Sequence, residues 1–300
     1  MKALITGAQG FVGGYLGEHL HESGDEIIAC GISGPNAIDV TDLDRVRSLF
    51  TQHRPDVVYH LAALTHVGES WIDPNEVLRV NVEGTVNVLN AAREAEVGRI
   101  LVIGSAEEYG RAGTEERRPL REDDPLLPMS PYGASKVAAS YLALQAFLGT
   151  GLPVVRVRPF NHTGPGQSAR FLVPALAKRV ADAEAAGADE IHVGATSPVR
   201  EINDVRDIVI AYRILALTGE PGDVYNVCSG HAVTVAEVAD QLAARAKRPL
   251  QVTVDPDLVR PVDVPYLVGD PTKVNTTGWT PRYTLDDTLD EVLHTARSHV

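Results

Sequence analysis

Thr6-Gly7-Ala8-Gln9-Gly10-Phe11-Val12-Gly13 stands between a β-branched run, Lys2 to Thr6, and an amphipathic stretch, Gly13 to Ser23. The order of strand, glycines and helix is what makes such a pattern a dinucleotide-binding signal. Gly7 permits a tight turn, Gly10 lets the backbone approach a pyrophosphate, and Gly13 lets the helix pack against the strand. The exposed helix N-terminus adds unpaired N–H groups and positive potential. A plain glycine-rich turn is the competing reading, and the flanking strand and helix weigh against it.

Outward from this loop, short apolar runs alternate with helical periodicity, the mark of βαβ units around a parallel sheet. Strands are expected at Lys2 to Thr6, Glu26 to Cys30, Val57 to Leu61, Arg99 to Ile103 and Pro153 to Arg158. Helices are expected at Asp42 to Gln52, Val82 to Ala95 and Tyr132 to Leu148. Gly110 to Pro131 is polar and proline-punctuated, and reads as a long ordered loop of the kind that often serves function. After Phe160 the pattern predicts helices at Phe171 to Glu184 and Val205 to Leu217, short strands near Ile191 and Ile202, and a buried strand at Asp223 to Val227. The expected fold is α/β: a Rossmann-like doubly wound parallel sheet with a smaller, interleaved α/β substrate lobe. Residues 1–160 plus about 203–228 would form the dinucleotide-binding domain, and 161–202 plus 229–300 the smaller substrate lobe.

Length and composition agree with a globular protein of one large unit or a nucleotide domain with a smaller companion: 300 residues, 44% hydrophobic and 22% charged. A formal charge of −13 argues against a nucleic-acid partner. No run approaches the eighteen apolar residues of a membrane span, and no signal-peptide pattern precedes Met1 to Thr6, so a cytoplasmic protein without membrane contact is expected. Cys30 and Cys228, the two cysteines, sit in apolar runs and read as inert. His60 and His66 match no ligand spacing; they read as packing or capping residues, and no metal is expected.

Tyr132-Gly133-Ala134-Ser135-Lys136 puts a phenol and an ammonium one helical turn apart on one face. A free phenol titrates near 10, so proton exchange at neutral pH needs help, and a nearby cation such as Lys136 favours the phenolate. The spacing alone fits a solvated helix face equally well. Three features favour chemistry: the helix start at Ser130-Pro131, the long preceding loop, and a strand ending in Gly104-Ser105, where open α/β sheets bind ligands. At the end of the second strand, Cys30-Gly31-Ile32-Ser33 carries neither the acid that holds a ribose 2′-hydroxyl nor an arginine for a 2′-phosphate. Ser33 and the missing acid tilt the balance toward NADP(H), with NAD(H) still open. Asp39 suits an adenine amino group, or equally a turn.

These residues resemble the extended short-chain dehydrogenase/reductase family over essentially the whole length. The matching pieces are Thr6 to Gly13, Asp39-Val40, His60-Leu61-Ala62-Ala63, Asn81 to Thr85, Gly104-Ser105 and Tyr132 to Lys136. Arg158 to Gln167, Val199-Arg200, Asp204 to Asp207, Gly222 to Val227, Arg260 to Asp263 and Thr277-Gly278-Trp279 are similar to its GDP-mannose branch. The resemblance implies catalytic roles for Ser105, Tyr132, Lys136 and Glu107. It implies cofactor contacts from Gly7, Gly10, Phe11, Val12, Gly13, Ser33, Asp39, Val40, Leu61, Ala62, Ala63, Asn81, Tyr132, Lys136, Phe160 and His162. It further implies that Ser105, Glu107, Asn161, Lys178, Arg200, Arg260 and Asp263 meet the substrate. Guanidinium forks suit a diphosphate; without the family pattern both arginines would read as surface residues.

Within the branch, the implied activity is NAD(P)H-dependent reduction of the 4-keto group of a GDP-4-keto-6-deoxy-hexose, giving GDP-D-rhamnose. GDP-mannose 4,6-dehydration and 4-epimerisation are the alternatives. Glu107 keeps dehydration open, because that reaction needs a base for the C5 proton. Ala106, the chain length and the absence of arginines after the second strand favour reduction. Apolar helices at Val82 to Ala95 and Tyr132 to Leu148 imply a homodimer through the four-helix contact that relatives use.

Overall fold

The computed structural model describes residues 1–259 and 264–299. Four βα steps and a fifth strand begin the main sheet: β1 (Lys2–Thr6), α1 (Phe11–Glu22), β2 (Glu26–Cys30), α2 (Leu43–His53), β3 (Val57–His60), α3 (Pro74–Leu78), α4 (Gly84–Glu94), β4 (Arg99–Ile103), α5 (Pro131–Thr150) and β5 (Val154–Pro159). Further along come β6 (His162–Thr163), α6 (Leu172–Ala186), β7 (Glu190–Val193), β8 (Val199–Arg200), β9 (Asn203–Asp204), α7 (Val205–Thr218) and β10 (Val224–Val227). The six-stranded sheet runs β10-β5-β4-β3-β1-β2, parallel throughout. The doubly wound architecture expected from the sequence is therefore present. Because the chain steps from β1 out to β2 and then returns to β3, a crevice opens between the carboxyl ends of β1 and β3.

The strands are apolar runs because helices cover both faces. Leu16 and Leu20 of α1 join Ile208, Tyr212 and Leu215 of α7 on one side. Val46 and Phe50 of α2, Val88 and Leu89 of α4 and Ala143 of α5 fill the other. Local chemistry sets the helix starts. Asp42 accepts the Arg45 N–H at 3.1 Å, and Ser130 accepts the Gly133 N–H at 3.0 Å with Pro131 in the first turn, both ordinary N-caps. The helix expected from Val82 begins instead at Gly84, behind a π-helical turn, Arg79–Glu83.

The remaining strands form small sheets: β8 between β11 (Val233–Thr234) and β13 (Tyr266–Leu267), β7 beside β12 (Gln251–Val254), and β6 beside β9. Two strands, β8 and β9, flank the expected position at Ile202. Around them α6, α8 (Val235–Ala244) and α10 (Leu285–Arg297) enclose their own core of Leu176, Val238, Leu242, Leu289 and Leu293. Between these, α9 (Thr272–Asn275) and the following turn send Val274 and Trp279 into the core beside α7. The Trp279 ring N–H donates to the Asp207 carbonyl at 2.9 Å, and the Asp207 carboxylate accepts the N–H groups of Arg282 and Tyr283. Among the described residues no helix is long and apolar enough to cross a membrane.

Candidate active site

The glycine loop closes the amino end of the crevice. Gly7 takes φ +74°, and a Cβ there would stand 2.8 Å from the Ala62 amide nitrogen, so the loop lies against the Leu61-Ala62 backbone beyond β3. Gly10 caps α1 without a side chain, leaving the first-turn N–H groups available to an anion. A Cβ on Gly13 would lie 2.7 Å from the Ala8 Cα. This bare cradle fits a pyrophosphate. His60 ties the crevice walls together. Its Nδ1 faces the Thr6 hydroxyl at 2.8 Å and its Nε2 the Thr85 hydroxyl at 3.0 Å. Burial, and secondarily Lys136, hold the imidazole neutral, down to about 3, as expected of a packing residue.

At the carboxyl end of β4, Ser105 begins a short 3₁₀ turn, Ala106–Glu108. Its hydroxyl accepts the Glu107 N–H at 3.1 Å and stands beside the Tyr132 phenol, whose acidity it favours. The Ser130 cap aims the first turn of α5 at this point, so Tyr132 arrives buried beside Ser105. Burial pushes the phenol well above 10, the Ser105 hydroxyl opposes that rise, and Glu107 and Glu108 reinforce it. The Lys136 ammonium sits 5.9 Å from the centre of the Tyr132 ring and donates to the Ile103 carbonyl at 2.8 Å. Burial brings it down to about 8, with Glu108 opposing. A neutral phenol, a hydroxyl and an ammonium thus converge where a carbonyl oxygen can be met and protonated.

The other expected residues divide. Val40 is buried against Gly84. The exposed Asp39 accepts the N–H and hydroxyl of Thr41, which hold its carboxyl low. Ser33, exposed at the tip after β2, receives the Gln9 amide on its carbonyl and hydroxyl, each at 2.8 Å. Ala63 follows Ala62 at the crevice wall. Asn81 uses its amide to brace the loop after β3, accepting from Leu64 N and donating to Leu64 O and to Ser135 Oγ; the π-helical turn places it there. Phe11 and Val12 open α1, with Phe11 edge-on to Tyr15 at 5.4 Å.

The Phe160 ring is buried against Tyr109. His162 bonds the Phe160 carbonyl at 2.9 Å. Asn161 is exposed, with its carbonyl accepting the backbone and side-chain N–H of Asn203. Arg200 is buried in β8. Lys178 pairs with Asp182 at 2.7 Å on an exposed part of α6. Arg260 and Asp263 lie outside the described residues.

Sequence reasoning missed Gln9, Glu108 and Arg158 as site components. Arg158 carried a signal, since a charge inside the apolar run Val154-Val155-Arg156-Val157-Arg158 requires a buried partner. That partner is Glu108, 2.8 Å away.

Fold and site together define a dinucleotide-binding enzyme. The family model for GDP-mannose 4,6 dehydratase matches residues 36–292, and this chain belongs to that family. It is 34% identical, over its whole length and 98% of the relative, to the GDP-6-deoxy-D-mannose reductase of Pseudomonas aeruginosa. Its fold superposes on RMD from Pseudomonas aeruginosa complexed with NADPH with a TM-score of 0.89 at 33% identity, both chains covered in full. The UDP-glucose 4-epimerase of Thermus thermophilus in complex with NAD gives 0.88 at 28% identity, again over both whole chains.

Proposed function

We propose that this chain reduces the 4-keto group of a GDP-4-keto-6-deoxy-hexose to give the GDP-6-deoxy-hexose, GDP-D-rhamnose, with NADPH or NADH as reductant. The observation that carries this reading is the convergence of Tyr132, Ser105 and the Lys136 ammonium at the carboxyl end of β4, where a phenol can give its proton to a developing alkoxide. The 34% identity over the whole chain to a GDP-6-deoxy-D-mannose reductase supports reduction over dehydration and epimerisation.

In this assignment Ser105 holds the C4 oxygen and Tyr132 protonates it. Lys136 holds the nicotinamide ribose and adds positive charge. The reduced nicotinamide supplies the hydride to C4. Gly7, Gly10, Phe11, Val12 and Gly13 seat the pyrophosphate, Ser33 the adenosine ribose, Asp39 and Val40 the adenine, and Leu61, Ala62 and Ala63 line the crevice. Asn161 and Arg200, together with Arg260 and Asp263, receive the GDP-sugar. Residues 1–160 plus about 203–228 carry the cofactor, and 161–202 plus 229–300 the sugar nucleotide. The exposed Tyr141 and Leu148 on α5, 56% and 72% accessible, support a homodimer through α4 and α5. The cytoplasm, where reduced nicotinamide is supplied, is the assigned compartment.

One observation favours a second reading: Glu107 is half-buried beside Tyr132, where a dehydratase needs its base. Incubation with GDP-4-keto-6-deoxy-mannose and NADPH or NADH, and separately with GDP-mannose and NADP+ or NAD+, decides between them. Loss of nicotinamide absorbance in the first mixture alone is the expected result. A 4-keto product from GDP-mannose would establish dehydration instead.

A further inference from the structure

Glu108 is fully buried, and it holds the backbone of Ser105. One carboxylate oxygen accepts the Ser105 backbone N–H at 3.0 Å, and the other accepts Arg158 Nε at 2.8 Å. Arg158 is fixed in turn by the Tyr109 hydroxyl at 2.9 Å and by stacking 4.9 Å over the Tyr109 ring. Tyr109 donates to Asn226 Oδ1 at 2.7 Å. The carboxylate fits because the chain is bare at Gly104, where a Cβ would overlap its oxygen. On the other side of Gly104, the Ile103 carbonyl receives Lys136. A buried carboxylate and a buried ammonium thus flank one glycine at the end of β4.

We propose that Glu108 is a positioning residue for the reaction: held by Arg158, it fixes the backbone from which the Ser105 hydroxyl projects and keeps the Lys136 ammonium charged. This rests on the functional reading above. The groups facing Lys136 are Tyr132 on its own helix, neutral His60 from β3 and Glu108 from the turn after β4, with Arg158 of β5 behind Glu108 and Glu107 beside Tyr132. Burial pushes the Glu108 carboxyl up, and the Arg158 guanidinium 2.8 Å away, the Ser105 N–H and Lys136 oppose that rise, as in a compensated buried ion pair.

The test is Glu108→Gln, whose amide oxygen still accepts the Ser105 N–H but carries no charge. The alkaline limb of kcat/KM moves to lower pH by about one unit, so activity falls about tenfold against the parent at pH 9 and stays within about twofold at pH 6.5. Affinity for NADPH, measured by fluorescence titration across the same range, follows the same displacement. Since Glu108→Gln leaves Arg158 unpaired, Glu108→Gln/Arg158→Met is measured beside it and shows the same displaced limb. Profiles that superimpose on the parent overturn the proposal, as does failure of both variants to fold, which would make the pair purely structural. A parent protein that does not turn over the 4-keto sugar sinks the functional reading instead, while the fluorescence titration still judges Glu108.

Discussion

Gly13 packs directly on Ala8: a Cβ on Gly13 would stand 2.7 Å from the Ala8 Cα, whereas one on the adjacent Gly14 would meet nothing within 4 Å. Two neighbouring glycines in one helix turn therefore have opposite meanings. Gly13→Ala should weaken NADPH binding at least tenfold and destabilise the fold by about 1–3 kcal/mol, the cost of overpacking. Gly14→Ala should stabilise by about 0.5–1 kcal/mol through helix propensity alone. Thermal melts and fluorescence titration of both variants check this; equal effects would refute the packing argument.

Tyr132→Phe removes the proton donor but leaves the buried ring in place. Turnover should fall by about 10²–10⁴, the range for loss of a general acid, while the dissociation constant for NADPH changes by less than about threefold, since the ring still packs. Turnover at the parent level would eliminate Tyr132 as the donor.

Lys136 carries a stability cost. An ammonium brought from 10.5 to about 8 by burial opposes folding by on the order of 3 kcal/mol at neutral pH. The cost is full below pH 8 and fades as pH rises from 8 to 10.5, because the native state then releases its proton before the unfolded chain does. Lys136→Met should accordingly raise the urea midpoint at pH 7 while losing turnover at least about a hundredfold. A lower midpoint would count against this account.

His60 acts in acid. Its imidazole is held near 3 by burial, against 6.5 in the unfolded chain. The stability it supports is present above pH 6.5 and is progressively lost as pH falls from 6.5 toward 3. His60→Gln should flatten the decline of stability between pH 6.5 and 5, where carboxylates are still mostly ionised. Chemical denaturation at pH 5, 6 and 7 is the measurement, and an unchanged slope would be the contrary result.

The sheet and its crevice were legible because their determinants are local: β-branched runs, a glycine fingerprint and the Ser130-Pro131 start of α5 all act within a few residues. Ser105, Tyr132 and Lys136 were found for the same reason, with the spacing in Tyr132 to Lys136 giving a shared face. The direction in which Lys136 points was not legible, since it depends on the Ile103 carbonyl thirty-three positions earlier. Nor was the Glu108–Arg158 pair, whose partners lie fifty residues apart. Asn81 was named from the family pattern, but its π-helical setting was not legible, because such a turn leaves no clear period in the sequence.

Trp279, the bulkiest side chain wholly removed from solvent, lies in the core beneath the main sheet although it stands only about twenty residues from the carboxyl end. Nesting of this kind has a practical consequence for anyone engineering the molecule. A fragment ending before α9 would keep every strand of the large sheet and still carry a void where Val274 and Trp279 belong, a loss of about 3–5 kcal/mol for the tryptophan alone. The large sheet with its helices is thus not a self-sufficient module, and chimeras between relatives should exchange the tail together with α7 rather than cut at a single junction.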